Sequence, residues 1–172
     1  MTVVSRRKFL KMGGGGIAAG AAVLGSAGAL ARPEGEHVGR TTLPYPQQMI
    51  AKAAQMPVNQ AVKFTYPDKA SPCVAVKMGA PVPGGVGPGG DIVAFSTLCP
   101  HMGCVVNYDR ETRNFKCPCH FSIYDGEKEG QMVIGQATTN IPSIILEYNA
   151  GDDSVRAVGV DGLIFGRQSN IL

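Results

Sequence analysis

Residues 99–104 of this chain are Cys-Pro-His-Met-Gly-Cys, and residues 117–122 are Cys-Pro-Cys-His-Phe-Ser. Each block offers a thiolate and an imidazole close together, Cys99 with His101 in the first and Cys117 with His120 in the second. Thiolate sulfur and imidazole nitrogen bind zinc and iron, and the prolines and the glycine beside them favour tight loops. Two such loops brought together would supply four ligands to one metal site.

Five cysteines and three histidines occur in the whole sequence, and only Cys73 and His37 lie outside the two blocks. Cys73 follows Pro72 at the start of a predicted strand and is expected to be a small buried apolar residue. Four cysteines allow three disulfide pairings, and spacing alone does not choose among them. Two alternatives to an iron site therefore stay open here: a structural zinc site with two cysteines and two histidines, and two disulfides with incidental histidines.

The two blocks resemble the motifs of the Rieske iron–sulfur family, C-x-H-x-G-C and C-x-C-H-x-S, and match them at every fixed position. The resemblance implies one [2Fe-2S] cluster, with one iron bound by Cys99 and Cys117 and the other by His101 and His120. It also implies a disulfide between Cys104 and Cys119 that ties the two loops together. A zinc site more often draws a C-x2-C pair from each side, and it would leave two cysteines unexplained.

Two residues beyond the second block are expected to tune this cluster. In the family, a Ser and a Tyr, two and four residues after the second ligand histidine, can donate hydrogen bonds to cluster sulfur, and Ser122 and Tyr124 occupy these places. Such donors stabilise the added electron, and neutral imidazoles make the cluster less negative than four thiolates would. We therefore expect a reduction potential in the upper part of the Rieske range of roughly −150 to +300 mV. Residues 135–138 resemble the family's third loop, which covers the cluster.

Beyond the motifs, the sequence is similar to the small subunit of arsenite oxidase over residues 56–172. The similar stretches include residues 64–68, 71–75, 82–88 and 158–168. This resemblance implies a molybdopterin-containing large subunit that oxidises arsenite to arsenate, with this chain passing the electrons to a cytochrome c or an azurin-like copper protein. No residue here is expected to be catalytic on arsenite. The alternatives are the Rieske subunit of a quinol–cytochrome c oxidoreductase and, in a different class, a zinc-stabilised binding module.

The first 31 residues read as a twin-arginine export signal. Arg6 and Arg7 precede an uncharged stretch that ends in a small-residue cleavage site at residues 29–31. We therefore expect a periplasmic protein, associated with the membrane only if this leader is uncleaved, in an oxidising compartment where a disulfide persists. The whole chain has 16 basic and 13 acidic residues, and four of the basic ones lie in the leader. The rest of the chain therefore has a formal net charge of −1. Because no basic run remains, nucleic acid is excluded as a partner.

The remainder is predicted to be a tether over residues 32–57, with a possible short helix near residues 47–55, followed by the cluster domain over residues 58–172. Short runs rich in β-branched and aromatic residues predict strands in that domain. The glycine- and proline-rich residues 81–90 predict an exposed loop, and residues 149–153 predict a hairpin turn. The expected fold is all-β, a small antiparallel sandwich or barrel with a two-loop cluster-binding subdomain. The predicted strands are 62–66, 73–77, 91–95, 114–117, 143–148 and 155–160.

Overall fold

A computed structural model describes residues 44–171 of the chain. The predicted export signal, most of the predicted tether and His37 lie outside the described residues. In the part that the structure describes, no helix has the length and apolar character needed to cross a membrane.

The described residues form ten antiparallel strands in two sheets. A six-stranded sheet has the order β1-β10-β9-β4-β3-β2, and a four-stranded sheet has the order β5-β6-β7-β8. The expected all-β antiparallel fold is therefore confirmed. The strands are β1 (Gln48–Lys52), β2 (Ala61–Thr65), β3 (Pro72–Lys77), β4 (Ile92–Ser96), β5 (Asn107–Asp109), β6 (Asn114–Lys116), β7 (Ile123–Asp125), β8 (Gln131–Ile134), β9 (Ser143–Asn149) and β10 (Ser154–Asp161).

Strands β3 and β4 are buried on both faces and separate two apolar cores. Successive side chains of a strand point to opposite faces. Accordingly, Cys73 and Ala75 of β3 pack into a core shared with β9 and β10. Val74 and Val76 pack instead into a second core, shared with the four-stranded sheet and with both cysteine blocks. The six-stranded sheet therefore supports the cluster-binding sheet on one of its faces.

The predicted short helix near residues 47–55 is wrong. Residues 48–52 form β1, an edge strand paired with β10 through Met49 opposite Arg156 and Lys52 opposite Ser154. Only Ala53–Gln55 form a single 3-10 turn, and Ala53 donates its backbone N–H to the Asp153 carbonyl at 2.9 Å. Alanine, glutamine and lysine favour helices locally, but backbone pairing with β10 overrides that preference. The segment predicted as a tether thus contributes a strand to the sheet.

The other predicted elements agree with the structure. Each of the six predicted strands overlaps an observed one, namely β2, β3, β4, β6, β9 and β10. Residues 81–90 connect β3 to β4 without forming a strand, and residues 149–153 make the tight turn between β9 and β10. Both connections behave as their glycine and turn-forming residues predict.

Candidate metal centre

The first block forms a closed loop, which we call the His101 loop (residues 99–104). Leu98 and Val105 pair as an antiparallel bridge at its base. Inside it, Cys99 donates its backbone N–H to the Cys104 carbonyl at 2.9 Å, and Gly103 donates to the Cys99 carbonyl at 2.8 Å. Gly103 has a φ of +73°, a conformation that glycine adopts without steric cost. The fixed glycine of the motif is therefore required by the turn itself.

The second block forms the tip of the β6–β7 hairpin, which we call the His120 loop (residues 117–122). Cys117 donates its backbone N–H to the Ser122 carbonyl at 2.8 Å and closes this loop. Phe121 has a φ of +59° and its side chain is 76% exposed. A bulky residue rarely adopts this conformation, and such strained backbone clusters at functional sites. The loop thus places an exposed aromatic ring next to His120.

A disulfide between Cys104 and Cys119 joins the two loops, as the resemblance implied. The Sγ atom of Cys117 and the two disulfide sulfurs lie within 4.8 Å of one another. The disulfide therefore joins the two loops covalently, and the free thiol of Cys117 lies close to it.

The remaining donors of the two loops form two pairs, one of thiols and one of imidazole rings. Cys99 and Cys117 are buried, carry free thiols and belong to the same apolar core. The imidazole rings of His101 and His120 lie 4.7 Å apart between centroids and are nearly perpendicular. His120 is exposed and His101 is partly buried, so His120 is the more accessible of the two imidazoles.

A buried nitrogen of His101 indicates that these side chains fit a metal centre. Among residues 44–171, Nδ1 of His101 is one of two buried side-chain nitrogen or oxygen atoms without a hydrogen-bond partner. A buried polar atom without a partner costs about 1–3 kcal/mol. Coordination to a metal satisfies an imidazole nitrogen and removes that cost. Two buried thiols, two neighbouring imidazoles and this unpaired nitrogen fit a mixed cysteine–histidine metal centre.

Tyr124 and Ser122 lie where the sequence places the tuning residues. The Tyr124 hydroxyl is 3.1 Å from Sγ of Cys99, and it donates this hydrogen bond when the sulfur is a metal-bound thiolate. Burial raises the pKa of Tyr124, which keeps its proton in place at neutral pH. Ser122 Oγ accepts the backbone N–H groups of Gln136 and Ala137, both at 3.1 Å. These two bonds occupy the acceptor positions of the Ser122 hydroxyl, so its proton is free to be donated. They also attach the predicted third loop, residues 135–138, to the His120 loop.

Replacing Tyr124 with Phe is expected to lower the reduction potential of the cluster by about 20–60 mV. The loss of one hydrogen bond to sulfur removes about 0.5–1.5 kcal/mol of stabilisation from the reduced state, and about 59 mV corresponds to 1.4 kcal/mol for one electron. Protein-film voltammetry measures this shift. Tyr66→Phe is the matched control, because Tyr66 is also fully buried but donates its hydroxyl to the Pro46 carbonyl. Equal potentials in Y124F and the wild type would show that the hydroxyl does not act on the cluster.

The fifth cysteine lies elsewhere, as expected. Cys73 packs in the core that contains neither cysteine block, and its Sγ lies 3.5 Å from the carbonyl oxygens of Tyr66 and Ser71. Burial raises the pKa of its thiol to about 12, so the sulfur stays protonated. Cys73 is therefore a structural residue and not a metal ligand.

Comparison with known proteins identifies the family. Residues 47–145 match the model of the Rieske [2Fe-2S] domain. The chain is 35% identical to iodate reductase subunit IdrB of Denitromonas iodatirespirans, over 97% of this chain and 86% of the relative. It is 33% identical to the same subunit of Pseudomonas sp. (strain SCT), over 96% and 84% of the two chains.

A solved structure gives the same answer. The soluble domain of Rieske protein II (soxF) from Sulfolobus acidocaldarius superposes with a TM-score of 0.65 at 26% identity, covering 72% of this chain and 82% of that one. The family match overturns the zinc-stabilised module, and the observed disulfide excludes Cys104 and Cys119 as ligands. The chain belongs to the Rieske [2Fe-2S] family and holds a [2Fe-2S] cluster.

Proposed function

We propose that Cys99 and Cys117 bind one iron of the cluster and that His101 and His120 bind the other. The observation that carries this assignment is the buried, unpaired Nδ1 of His101, with the ring of His120 4.7 Å away. Cys99 and Cys117 are the free thiols of the two loops, since the disulfide uses the other two cysteines. The ligand set is thus complete without any residue from outside the loops.

The cluster supplies one-electron transfer, and the residues around it set how readily an electron is accepted. Neutral imidazole ligands reduce the negative charge of the cluster compared with thiolates and raise its potential. The hydroxyl of Tyr124 and the proton of Ser122 add to this by stabilising sulfur that gains negative charge. His120 and Phe121 are both exposed, and we propose that a partner reaches the centre through this surface.

We further propose that this chain is the electron-transfer subunit of an arsenite oxidase. In this proposal, a molybdopterin-containing large subunit oxidises arsenite to arsenate and releases two electrons. The present chain takes them one at a time and delivers them to a cytochrome c or an azurin-like copper protein. Support comes from the resemblance over residues 56–172, and from two relatives, matched over most of their length, that are named as iodate reductase subunits. We also propose a periplasmic location for this complex, because residues 1–31 have the pattern of a twin-arginine export signal.

Iodate reduction is the second candidate, favoured by the names of those same relatives. In that case electrons would flow in the opposite direction, from a donor through this chain to a large subunit that reduces iodate. The same ligand set serves both directions, since a one-electron carrier is reversible. The two candidates therefore differ in the substrate that exchanges electrons with the cluster and not in the cluster itself.

The experiment that separates them uses the chain purified together with its natural partner. Low-temperature EPR is recorded before and after addition of arsenite, and after addition of iodate to the pre-reduced complex. We expect arsenite to produce the signal of the reduced Rieske cluster. A signal that ignores arsenite but disappears with iodate would replace the first candidate by the second. A signal produced by a quinol and by neither oxyanion would assign the chain to a quinol–cytochrome c oxidoreductase.

A further inference from the structure

The loop that follows β10 returns to the metal centre. We call residues 162–170 the C-terminal loop. A Cβ atom added to Gly103 would lie 2.5 Å from Cδ1 and 2.7 Å from Cε1 of Phe165. The aromatic ring therefore rests directly on the Cα atom of Gly103, in the middle of the His101 loop. Two features therefore require glycine at position 103: the positive φ, and the Phe165 ring, which leaves no space for a Cβ atom.

A buried amide fixes the backbone on the N-terminal side of Phe165. Asn170 is 7% exposed, and its Oδ1 accepts the backbone N–H of Ile164 at 2.9 Å. Its Nδ2 donates to the Gly162 carbonyl at 2.7 Å and to the Tyr45 hydroxyl at 3.2 Å. Ile164, the neighbour of Phe165, is fully buried in the first core. One side chain thus ties the two ends of the C-terminal loop together.

An ion pair fixes the other side. Arg167 and Asp68 form a salt bridge with an N···O distance of 2.7 Å, which links the C-terminal loop to the segment between β2 and β3. The Arg167 side chain is only 19% exposed, so solvent screens this contact less than it screens a fully exposed pair. Arg167 also donates its backbone N–H to the Ile164 carbonyl at 3.3 Å. Phe165 is held between these two attachments and cannot easily leave Gly103.

We infer that Phe165 is a positioning residue for the metal centre: its ring holds the Gly103 turn of the His101 loop closed and keeps water from that turn. This inference rests on the proposed ligands, because the turn carries Cys99 and His101. The ring is 40% exposed, so it forms an outer cover and is not part of the core. The sequence motifs do not predict this contact, since Phe165 lies outside both cysteine blocks.

The role has two measurable consequences. Removing the ring lets the His101 loop open more often, so the cluster is lost faster. It also lets water approach the turn, and water stabilises the reduced cluster more than the oxidised one because the reduced cluster carries one more negative charge. The reduction potential should therefore rise. A ring that served only to stabilise the fold would alter the melting temperature and leave the potential unchanged.

The test compares Phe165→Ala with Phe165→Tyr and with Leu163→Ala. The tyrosine keeps the ring, and Leu163 is a 53% exposed residue of the same loop that serves as the control. The measurements are the potential by protein-film voltammetry, the rate of cluster loss in a chelator followed by visible absorbance, and the thermal unfolding midpoint. We expect F165A to lose its cluster about tenfold faster, which corresponds to about 1.4 kcal/mol in the free energy of loop opening. We expect F165A to show a raised potential, while F165Y and L163A match the wild type.

Two outcomes would overturn the inference. One is an F165A chain with wild-type potential, whatever its rate of cluster loss and its melting temperature. The other is an L163A chain that changes as much as F165A, since the effect would then belong to the loop and not to the ring. A wild-type chain that holds no iron would instead overturn the proposed ligand set. Reduction by arsenite is tested separately on the complex, so failure of that proposal leaves the role of Phe165 standing.

Discussion

A Cys117→Ala chain is expected to contain no [2Fe-2S] cluster, while a Cys73→Ala chain keeps a full one. Cys117 is one of the two free thiols in the cysteine–histidine loops, and alanine offers no atom that binds iron. In the proposed ligand set, the variant leaves one iron with a single protein sulfur ligand, and the cluster is not expected to persist. Iron analysis, visible absorbance and EPR of the reduced protein each detect the loss.

Cys73 is a matched control for Cys117, because the two cysteines are equally buried but lie in different cores. Each side chain is 2% exposed, and each packs in an apolar core, one beside the loops and one away from them. Either substitution removes one buried sulfur and costs stability in a similar way. A C117A chain with a normal Rieske EPR signal would contradict the ligand assignment. Loss of the cluster in both variants would show that core packing, and not ligation, is responsible.

Removing the disulfide is expected to have the largest effect on stability. The Cys104→Ala, Cys119→Ala double variant should unfold at a lower urea concentration, with a loss of about 3 kcal/mol, because a cross-link that closes a loop of about 15 residues restricts the unfolded chain by that amount. The two cysteines are separated by 15 positions in the sequence. Circular dichroism of the chain in increasing urea measures the midpoint. The cluster should also be lost at lower urea, since the disulfide holds its two loops together.

Reduction of the wild-type disulfide provides the control for that variant. A thiol reductant should move the wild-type urea midpoint toward that of the double variant, and it should leave the variant itself unchanged. Cys73→Ala, which keeps the disulfide, should still respond to the reductant. If the double variant and the wild type unfold at the same urea concentration under oxidising conditions, the cross-link contributes nothing and the loops are held by their other contacts.

Much of the site was predictable because its residues are adjacent in sequence. The two blocks each contain a thiol, an imidazole and a turn-forming residue, and short-range hydrogen bonds such as Gly103 to Cys99 close the loops locally. The disulfide partner of Cys104 could not be predicted from local sequence. Spacing left three pairings open, and the family resemblance was needed to choose Cys119, which the structure confirms.

Contacts between distant residues were beyond local prediction. Residues 48–52 have helix-favouring composition, yet they form a strand because β10 offers unpaired backbone groups along its edge. Strands β5 and β7 have three residues each and contain Asn or Asp, which strands usually disfavour. They exist because they pair with β6 on either side. The packing of Phe165 on Gly103 belongs to the same class, since the fold and not the local pattern creates it.

We expect this one chain to hold a two-iron cluster through two cysteine sulfurs and two histidine nitrogens. The most direct measurement is pulsed EPR of the reduced chain with its histidines labelled with ¹⁵N, together with analysis of iron and inorganic sulfide. The expected result is two irons and two sulfides per chain, with two histidine nitrogens coupled to the unpaired electron. A chain that holds zinc in place of iron, or a cluster signal that carries no histidine nitrogen coupling, would contradict it.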